Sequence, residues 1–335
     1  MITLTNKQNL PEAIVKACLV DNHVTRGDIS VTQLIDAPQI RHLKRTNDFE
    51  EDVMGRMYAL MGTAIHTVLE LSEPELAEAR KITEVYKILS KNGGSQKALD
   101  YLNKFIEESY PTFKDPDVLL EKTISIDVDG MTLSGTMDKF TKSTGVLEDY
   151  KNCSTYAFIN EESKKKWYAQ QNIYAYMLRQ NGYTVNKSQV VAIFRDFSAA
   201  KQLQSKDYPK HQVAMIEIEL YDDAFMKTYL SERVRLHRMA EDGNVPECNG
   251  KERWATNDKF AMMNKGGKRA IRVLNSKAEA EEWRRTEAYK YDNLYEVKRP
   301  GENKRCEKFC GVKDVCPQFK RIMKEASENT TTEFD

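Results

Sequence analysis

Asp138, Asp149 and Lys151 are the residues whose types and spacing best suit chemistry. They lie in the runs GTMDKF at 135–140 and LEDYK at 147–151, either side of Ser143, Thr144 and Gly145. If both runs are strands, a turn centred between 143 and 144 sets 138 opposite 149, and one centred between 144 and 145 sets 138 opposite 151. Side chains alternate with period two, so either register puts all three on one face of the sheet. Two carboxylates facing each other at about 5 Å repel unless something positive sits between them. A hard divalent ion, Mg²⁺ or Mn²⁺, suits such a pair because it takes a few carboxylate oxygens and keeps waters for a substrate. The chemistry that follows is phosphodiester hydrolysis, with Lys151 steering the nucleophile or steadying the pentavalent state. The plainer reading is a solvated strand face with an ordinary Asp-Lys pair. Four D/E-x-K triplets occur, starting at Asp149, Glu162, Glu296 and Glu302, and only the first follows a hairpin carrying a matched acid.

Three further residues could serve that site. His66 sits beside the apolar stripe of a helix, where Gly62, one turn earlier, would let another backbone approach. A lone histidine there is usually a satisfied core residue, but its neutral imidazole could complete the two-carboxylate site and favour Mn²⁺ somewhat. Gln170 and Tyr174, four apart, share a helix face. They could hold a phosphate or orient Lys151, or form the polar edge of a packed helix.

A second constellation is built from cysteine. Cys306, Cys310 and Cys316 have C-x3-C-x5-C spacing, with Cys248 the natural fourth ligand. Such a set could hold a 4Fe-4S cluster or, alternatively, a tetrahedral zinc, in a structural role. Cys18 and Cys153 read as buried thiols. Residues 251–272 carry seven basic side chains against Glu252 and Asp258. Lys251, Arg253, Lys265, Lys268 and Arg269 are the candidate DNA contacts, with Trp254 and Phe260 interleaved as a nucleic-acid strand would require.

Around these residues the apolar periodicity predicts a helix over 49–72, with a stripe of Val53, Met57, Leu60, Ala64 and Val68 widened by Ile65 and Leu69. A second helical stretch from Glu75 breaks at Asn92-Gly93-Gly94 and resumes to about Tyr110, where Pro111 and Pro116 end it. Residues 122–151 read as a three-stranded meander turning at Asp129-Gly130 and at 143–145. A helix over 164–180, strands over 189–197 and 213–220, and a helix over 222–241 follow. The order predicts an α/β protein with a mixed central sheet flanked by helices. The expected divisions are an N-terminal arm at 1–45, a core at 46–243 with a helical insertion near 75–110, a cysteine-ligated module at 244–318 containing one helix near 277–285, and a helix end with a frayed tail at 319–335.

With 335 residues and 40% apolar content the chain can fill a core. Its 51 basic and 51 acidic residues cancel, so any contact with nucleic acid must be local. No apolar run reaches membrane-spanning length and no secretory signal opens the chain, which predicts a cytoplasmic protein whose clustered thiols bind metal rather than pair as disulfides.

Taken together, GTAIH at 62–66, GTMDKF at 135–140, EDYKN at 148–152 and QQNIY at 170–174 resemble the RecB-like branch of the PD-(D/E)XK nucleases. The terminal cysteines resemble those of its iron-sulfur members, including CRISPR-adaptation nucleases and phage-encoded nucleases. The resemblance spans roughly residues 28–318. It implies a restriction-endonuclease-like core, metal ligation by His66, Asp138 and Asp149, a catalytic Lys151, DNA-positioning Gln170 and Tyr174, and a DNA exonuclease acting in recombination, repair, replication or degradation on single or double strands, with a recombination or helicase protein as partner. Many iron-sulfur relatives carry the first cluster cysteine in the N-terminal arm. Here TQLIDAPQIRHL at 32–43 has none, so Cys248 substitutes or Cys18 reaches. The rival readings are a DNA-binding iron-sulfur subunit of a helicase or recombination complex with little or no cleavage activity, and a zinc-stabilised RNA-processing enzyme.

Overall fold

The computed structural model describes residues 2–19, 26–72, 95–109, 117–291 and 293–331. The expected helix break at Asn92-Gly93-Gly94, and Pro111 and Pro116, lie outside them. The chain divides into two compact units.

The larger unit comprises residues 4–35 and 52–237. Its strands are β2 (Ile29–Ser30), β4 (Val118–Val128), β5 (Met131–Thr141), β6 (Val146–Cys153), β7 (Lys187–Phe194) and β8 (Val213–Ile218), which follow β1 (Ile2–Thr5) and β3 (Phe49–Asp52) in a numbering by chain order. They form one sheet in the order β2-β5-β6-β7-β8, with β4 also paired to β5. Pairings β2/β5 and β6/β7 are parallel and the rest antiparallel, so the sheet is mixed, as the order of elements predicts. Asp129 and Gly130 take φ of 51° and 76° in the turn between β4 and β5, the pair of positive values a two-residue hairpin requires.

The helices of this unit, again in chain order, are α1 (Glu12–Leu19), α2 (Val31–Ile35), α4 (Val53–Leu71), α5 (Gln96–Ser109), α6 (Thr155–Ile159), α7 (Glu161–Gln180), α8 (Ala199–Gln204) and most of α9 (Asp223–Glu241). Asn160 starts α7, its side chain accepting from the Ser163 N–H at 3.1 Å, three residues before the apolar pattern suggested. Ile173, Ala175, Met177 and Leu178 of α7 are fully buried with Leu133, Met137, Phe140 and Leu147 of the sheet. Asn172, fully buried, donates to the Tyr168 and Glu219 carbonyls and accepts from the Tyr221 N–H, fastening α7 beside the end of β8.

Helix α4 begins at Val53 rather than at 49, because 49–52 is extended. Of its expected stripe only Val53 is fully buried; Met57, Leu60, Ile65 and Leu69 are half-buried, and Ala64 and Val68 are exposed.

The smaller unit comprises residues 36–51 and 238 onward, with the first residues of the chain. It contains α3 (Pro38–Thr46) and a three-stranded antiparallel sheet, β9 (Lys259–Asn264), β10 (Arg272–Leu274) and β11 (Leu294–Arg299), with β9 central. That sheet was not foreseen, because the basic residues between its short strands mask the alternation. Helix α10 (Lys277–Glu287), the expected acidic helix, lays Ala280 and Trp283 on Phe260, Met262 and Leu274. The short α11 (Lys304–Lys308) precedes α12 (Pro317–Thr331); the tail expected to fray from 326 is helical as far as Thr331, and its remainder lies outside the described residues.

Candidate functional site

The site on the larger sheet is assembled where two ladders lose contact. β5 and β6 pair at 139/148, 140/147 and 141/146, the register that sets 138 opposite 149, and the ladder stops there. The Tyr150 N–H therefore has no β5 carbonyl to meet and instead donates to Asp138 Oδ2 at 2.6 Å. On the other side of β5, β4 pairs at 120/139 and 122/137 but skips Glu121 and Asp138. Glu121 there takes φ of 45°, a left-handed conformation that costs a non-glycine residue energy and tends to mark a functional site.

The consequence is a cluster that includes a residue the sequence reading missed. His66 Nδ1 lies 3.2 Å from Glu121 Oε1 and 3.6 Å from Asp138 Oδ1, and His66 Nε2 lies 3.0 Å from the Tyr150 carbonyl oxygen. His66, Glu121 and Asp138 each offer a ligand atom within 4.8 Å of the others, a spacing that one cation can satisfy. Nothing in the period of β4 distinguishes Glu121; only its backbone conformation does.

Asp149 is 2% exposed and stands outside that triangle. Lys151 Nζ lies 2.9 Å from both of its oxygens, but only Oδ1 receives a well-directed hydrogen bond, leaving the buried Oδ2 without a donor. Burial, then the neighbouring Asp149 carboxylate, pushes the Asp138 carboxyl up to about 7. The hydrogen bond to Glu121 raises His66 against the opposing effect of burial. Burial works against the charge of Lys151, yet Asp149 and Asp138 together hold it above its ordinary value. A site in which burial and a neighbouring carboxylate raise the Asp138 carboxyl, and in which a buried Asp149 oxygen is left unsatisfied, suits a divalent cation, whose charge would offset both.

Gln170 and Tyr174 lie behind this cluster. Gln170 hydrogen-bonds the Tyr174 phenol, which donates to the Thr136 carbonyl at 2.8 Å, two residues from Asp138. The phenol is buried, and its pKa is raised by that burial and by the nearby Asp149. Gly135 makes this possible, since a Cβ there would stand 2.6 Å from the Tyr174 ring. At Gly62, by contrast, no described atom outside the helix's own backbone lies within 4 Å of where a Cβ would stand, so no described segment makes the expected close approach.

In the smaller unit Cys248, Cys306, Cys310 and Cys316 line one cleft. The Cys248 N–H donates to Gln39 and Gln318, and Gln318 returns a bond to the Cys248 carbonyl. Arg305, which also lines the cleft, donates from Nη2 to both Asp36 oxygens at 2.6 and 2.8 Å. Phe319 N–H donates to Cys316 Sγ at 3.4 Å. Burial pushes the Cys248 thiol up to about 12, and raises Cys306 and Cys310 as well. The segment 37–43 contributes Ala37, Gln39, Ile40 and Leu43 to this neighbourhood in place of a thiol. Cys18 is elsewhere, buried 3.8 Å from the Met57 sulfur. Cys153 is a buried thiol pushed up to about 11.

Of the basic residues, Lys251, Lys265, Lys268 and Arg269 are exposed. Arg253 donates to the Cys248 carbonyl and to Asn303, so it supports the cysteine cleft. Phe260 is 8% exposed in the small sheet's core and cannot stack on a nucleic acid. Trp254 is exposed and packs against Phe309 at 5.4 Å.

The sequence matches the PD-(D/E)XK nuclease superfamily over residues 39–317. The chain belongs to that superfamily. Nucleases of the PD-(D/E)XK type use divalent metals, and the His66, Glu121 and Asp138 group is a site able to hold one. Among solved structures, a phage related exonuclease from Haemophilus somnus is 14% identical, covering 42% of this chain and 69% of its own, with a TM-score of 0.27. A protein of Eubacterium rectale assigned as an exonuclease is 12% identical, covering 68% and 89%, with a TM-score of 0.33. No curated protein matches the chain. Among the described residues no helix of this PD-(D/E)XK protein is long and apolar enough to cross a membrane.

Proposed function

We propose that the protein is a divalent-metal-dependent deoxyribonuclease of the RecB-like branch, acting from DNA ends in recombination, repair, replication or degradation. The observation that carries this reading is the gathering of His66 Nδ1, Glu121 and Asp138 within ligand distance of one another, with the Tyr150 carbonyl against His66 Nε2 and with Asp149 and Lys151 beside them. His66, Asp138 and Asp149 would hold Mg²⁺ or Mn²⁺, with Glu121 either joining them or fixing the His66 ring. The metal would acidify a water and neutralise charge on the phosphate. Lys151, already charged, steers the attacking oxygen and offsets the negative charge that develops as the new P–O bond forms and the ester P–O bond breaks. Gln170 and Tyr174 hold β5, and with it Asp138, in place. Preference for ends is supported by the resemblance to phage-encoded members. Digestion of end-labelled linear and closed-circular DNA, single- and double-stranded, with Mg²⁺ or Mn²⁺ tests it: linear substrates should be shortened from their ends, and nicking of closed circles would overturn the exonuclease assignment.

For residues 244–318 we propose a structural 4Fe-4S cluster on Cys248, Cys306, Cys310 and Cys316. Thiolates around a single zinc stand about 3.8 Å apart, given Zn–S bonds of about 2.3 Å. Cys248, Cys306, Cys310 and Cys316 line one cleft, and the C-x3-C-x5-C spacing of the last three resembles that of iron-sulfur members of the superfamily. In an iron-sulfur cube each sulfur takes its own iron. Visible absorption and iron and sulfide analysis of anaerobically purified protein test this, and stoichiometric zinc would overturn it. The exposed Lys251, Lys265, Lys268 and Arg269 are the candidate DNA contacts of this part, and a recombination or helicase protein is the candidate partner.

A further inference from the structure

Tyr58 stands 62% exposed on α4, and the Arg195 guanidinium lies 4.3 Å from the centre of its ring. Arg195, exposed and following β7, is held by a 3.1 Å bond from Nη1 to the Asn152 carbonyl, one residue after Lys151. An exposed cation-aromatic stack is worth too little to explain by itself why a tyrosine faces solvent. Its place explains more. Tyr58, Gly62 and His66 follow at intervals of four, so they form one stripe along α4 that leads from the stacked ring to the metal-ligand cluster. At Gly62, between them, no described atom lies within 4 Å of where a side chain would start, although glycine weakens a helix interior and no positive φ requires it here. Tyr58 and His66 are about 12 Å apart along the axis, the span of about three stacked nucleotides.

From this arrangement we infer that Tyr58 and Arg195 form a base-stacking platform that holds an unpaired nucleotide of a single DNA strand while the backbone crosses Gly62 to the cluster at His66. The inference rests on the nuclease reading and specifies its substrate: a duplex base has both faces covered by its neighbours, so the platform takes a frayed end or a single strand. Arg195 supplies charge complementary to the phosphates as well as a planar face.

Binding can be read apart from cleavage. A fluorescein-labelled oligodeoxythymidine of about twenty nucleotides is titrated with the full-length protein in Ca²⁺, and fluorescence anisotropy is followed. Tyr58→Ala should weaken binding roughly five- to a hundredfold, Tyr58→Trp should retain it, and Arg195→Lys should lose part of it because the charge stays while the stacking plane goes. An oligonucleotide carrying one abasic position should lose affinity for the wild type and not for Tyr58→Ala. Unchanged binding in Tyr58→Ala, or no binding by the wild type, overturns the platform. Cleavage in Mn²⁺ reports on the nuclease reading separately: its loss in Asp138→Ala with the Tyr58 effect absent leaves the nuclease and removes the platform, and no cleavage by a wild type that binds through Tyr58 does the reverse.

Discussion

In the carboxylate cluster, side chains from three strands meet a helix where two ladders part; in the cysteine cleft, Cys248 stands close to a thiol 68 residues away because side chains tie the loops. The first arrangement is rigid wherever the sheet is rigid, and its single distortion is Glu121. The second depends on Gln39, Gln318, Arg253 and the Arg305 to Asp36 bond, each a single side-chain contact with no ladder behind it. The difference teaches that the two candidate metal sites should fail differently: the cluster by losing chemistry with the fold retained, the cleft by losing structure with the chemistry only indirectly affected.

The largest expected effect is on catalysis. Asp138→Ala, Asp149→Ala and Lys151→Ala should each lower DNA cleavage by about a thousandfold or more, the scale on which charge-stabilising groups act, while circular dichroism and the visible absorption of the cysteine cleft stay as in the wild type. A parallel loss of that absorption would break the comparison. The mirror variant, Cys248→Ser, should reduce iron content to background and lower the unfolding temperature, measured by calorimetry. It should leave Mn²⁺ affinity at the carboxylate cluster unchanged.

Smaller effects sharpen the contrast. Glu121→Gln should weaken Mn²⁺ binding about ten- to a hundredfold, as expected of a group that fixes a ligand histidine, when followed by isothermal titration calorimetry. Metal affinity should also depend on pH with a definite sign. Because burial and Asp149 raise Asp138 to about 7, a proton competes with the metal below that value. Affinity should therefore fall at least about tenfold per pH unit as pH drops below 7, and more steeply where His66, whose pKa is also raised, takes up its own proton. A profile flat between pH 5 and 7 would show that Asp138 is not titrating there. At the small end, Asp36→Ala should destabilise the smaller unit by about 1–2 kcal/mol, since Asp36 and Arg305 are largely but not fully buried, as read from chemical denaturation.

Much of the larger unit was legible in the sequence because period-two alternation and turn chemistry are local. Asp129-Gly130 fixes one hairpin, and the turn at 143–145 limits 138 to facing 149 or 151 with all three side chains on one face, a choice that the β5/β6 ladder makes in favour of 149. Glu121 was not legible, since its importance lies in a backbone angle at a break in two ladders. The helix of His66 was placed correctly but its burial was overestimated, because an apolar stripe says that a face can be covered and not that it is. In the smaller unit the cysteine spacing was visible at once, whereas β9, β10 and β11 were hidden among basic residues, and the tethering of Cys248 by Gln39 and Gln318 spans up to 209 residues of sequence. Polar contacts of that range leave no periodic trace.

The central claim, that one divalent cation is gathered by His66 of α4, Asp138 of β5 and Asp149 of β6 with Glu121 of β4 beside them, is tested most directly by anomalous diffraction from crystals of the protein soaked in Mn²⁺. A single strong peak within bonding distance of His66 and Asp138, beside Glu121 and the Tyr150 carbonyl, is the predicted result. A peak elsewhere, with cleavage still dependent on Mn²⁺, would contradict it.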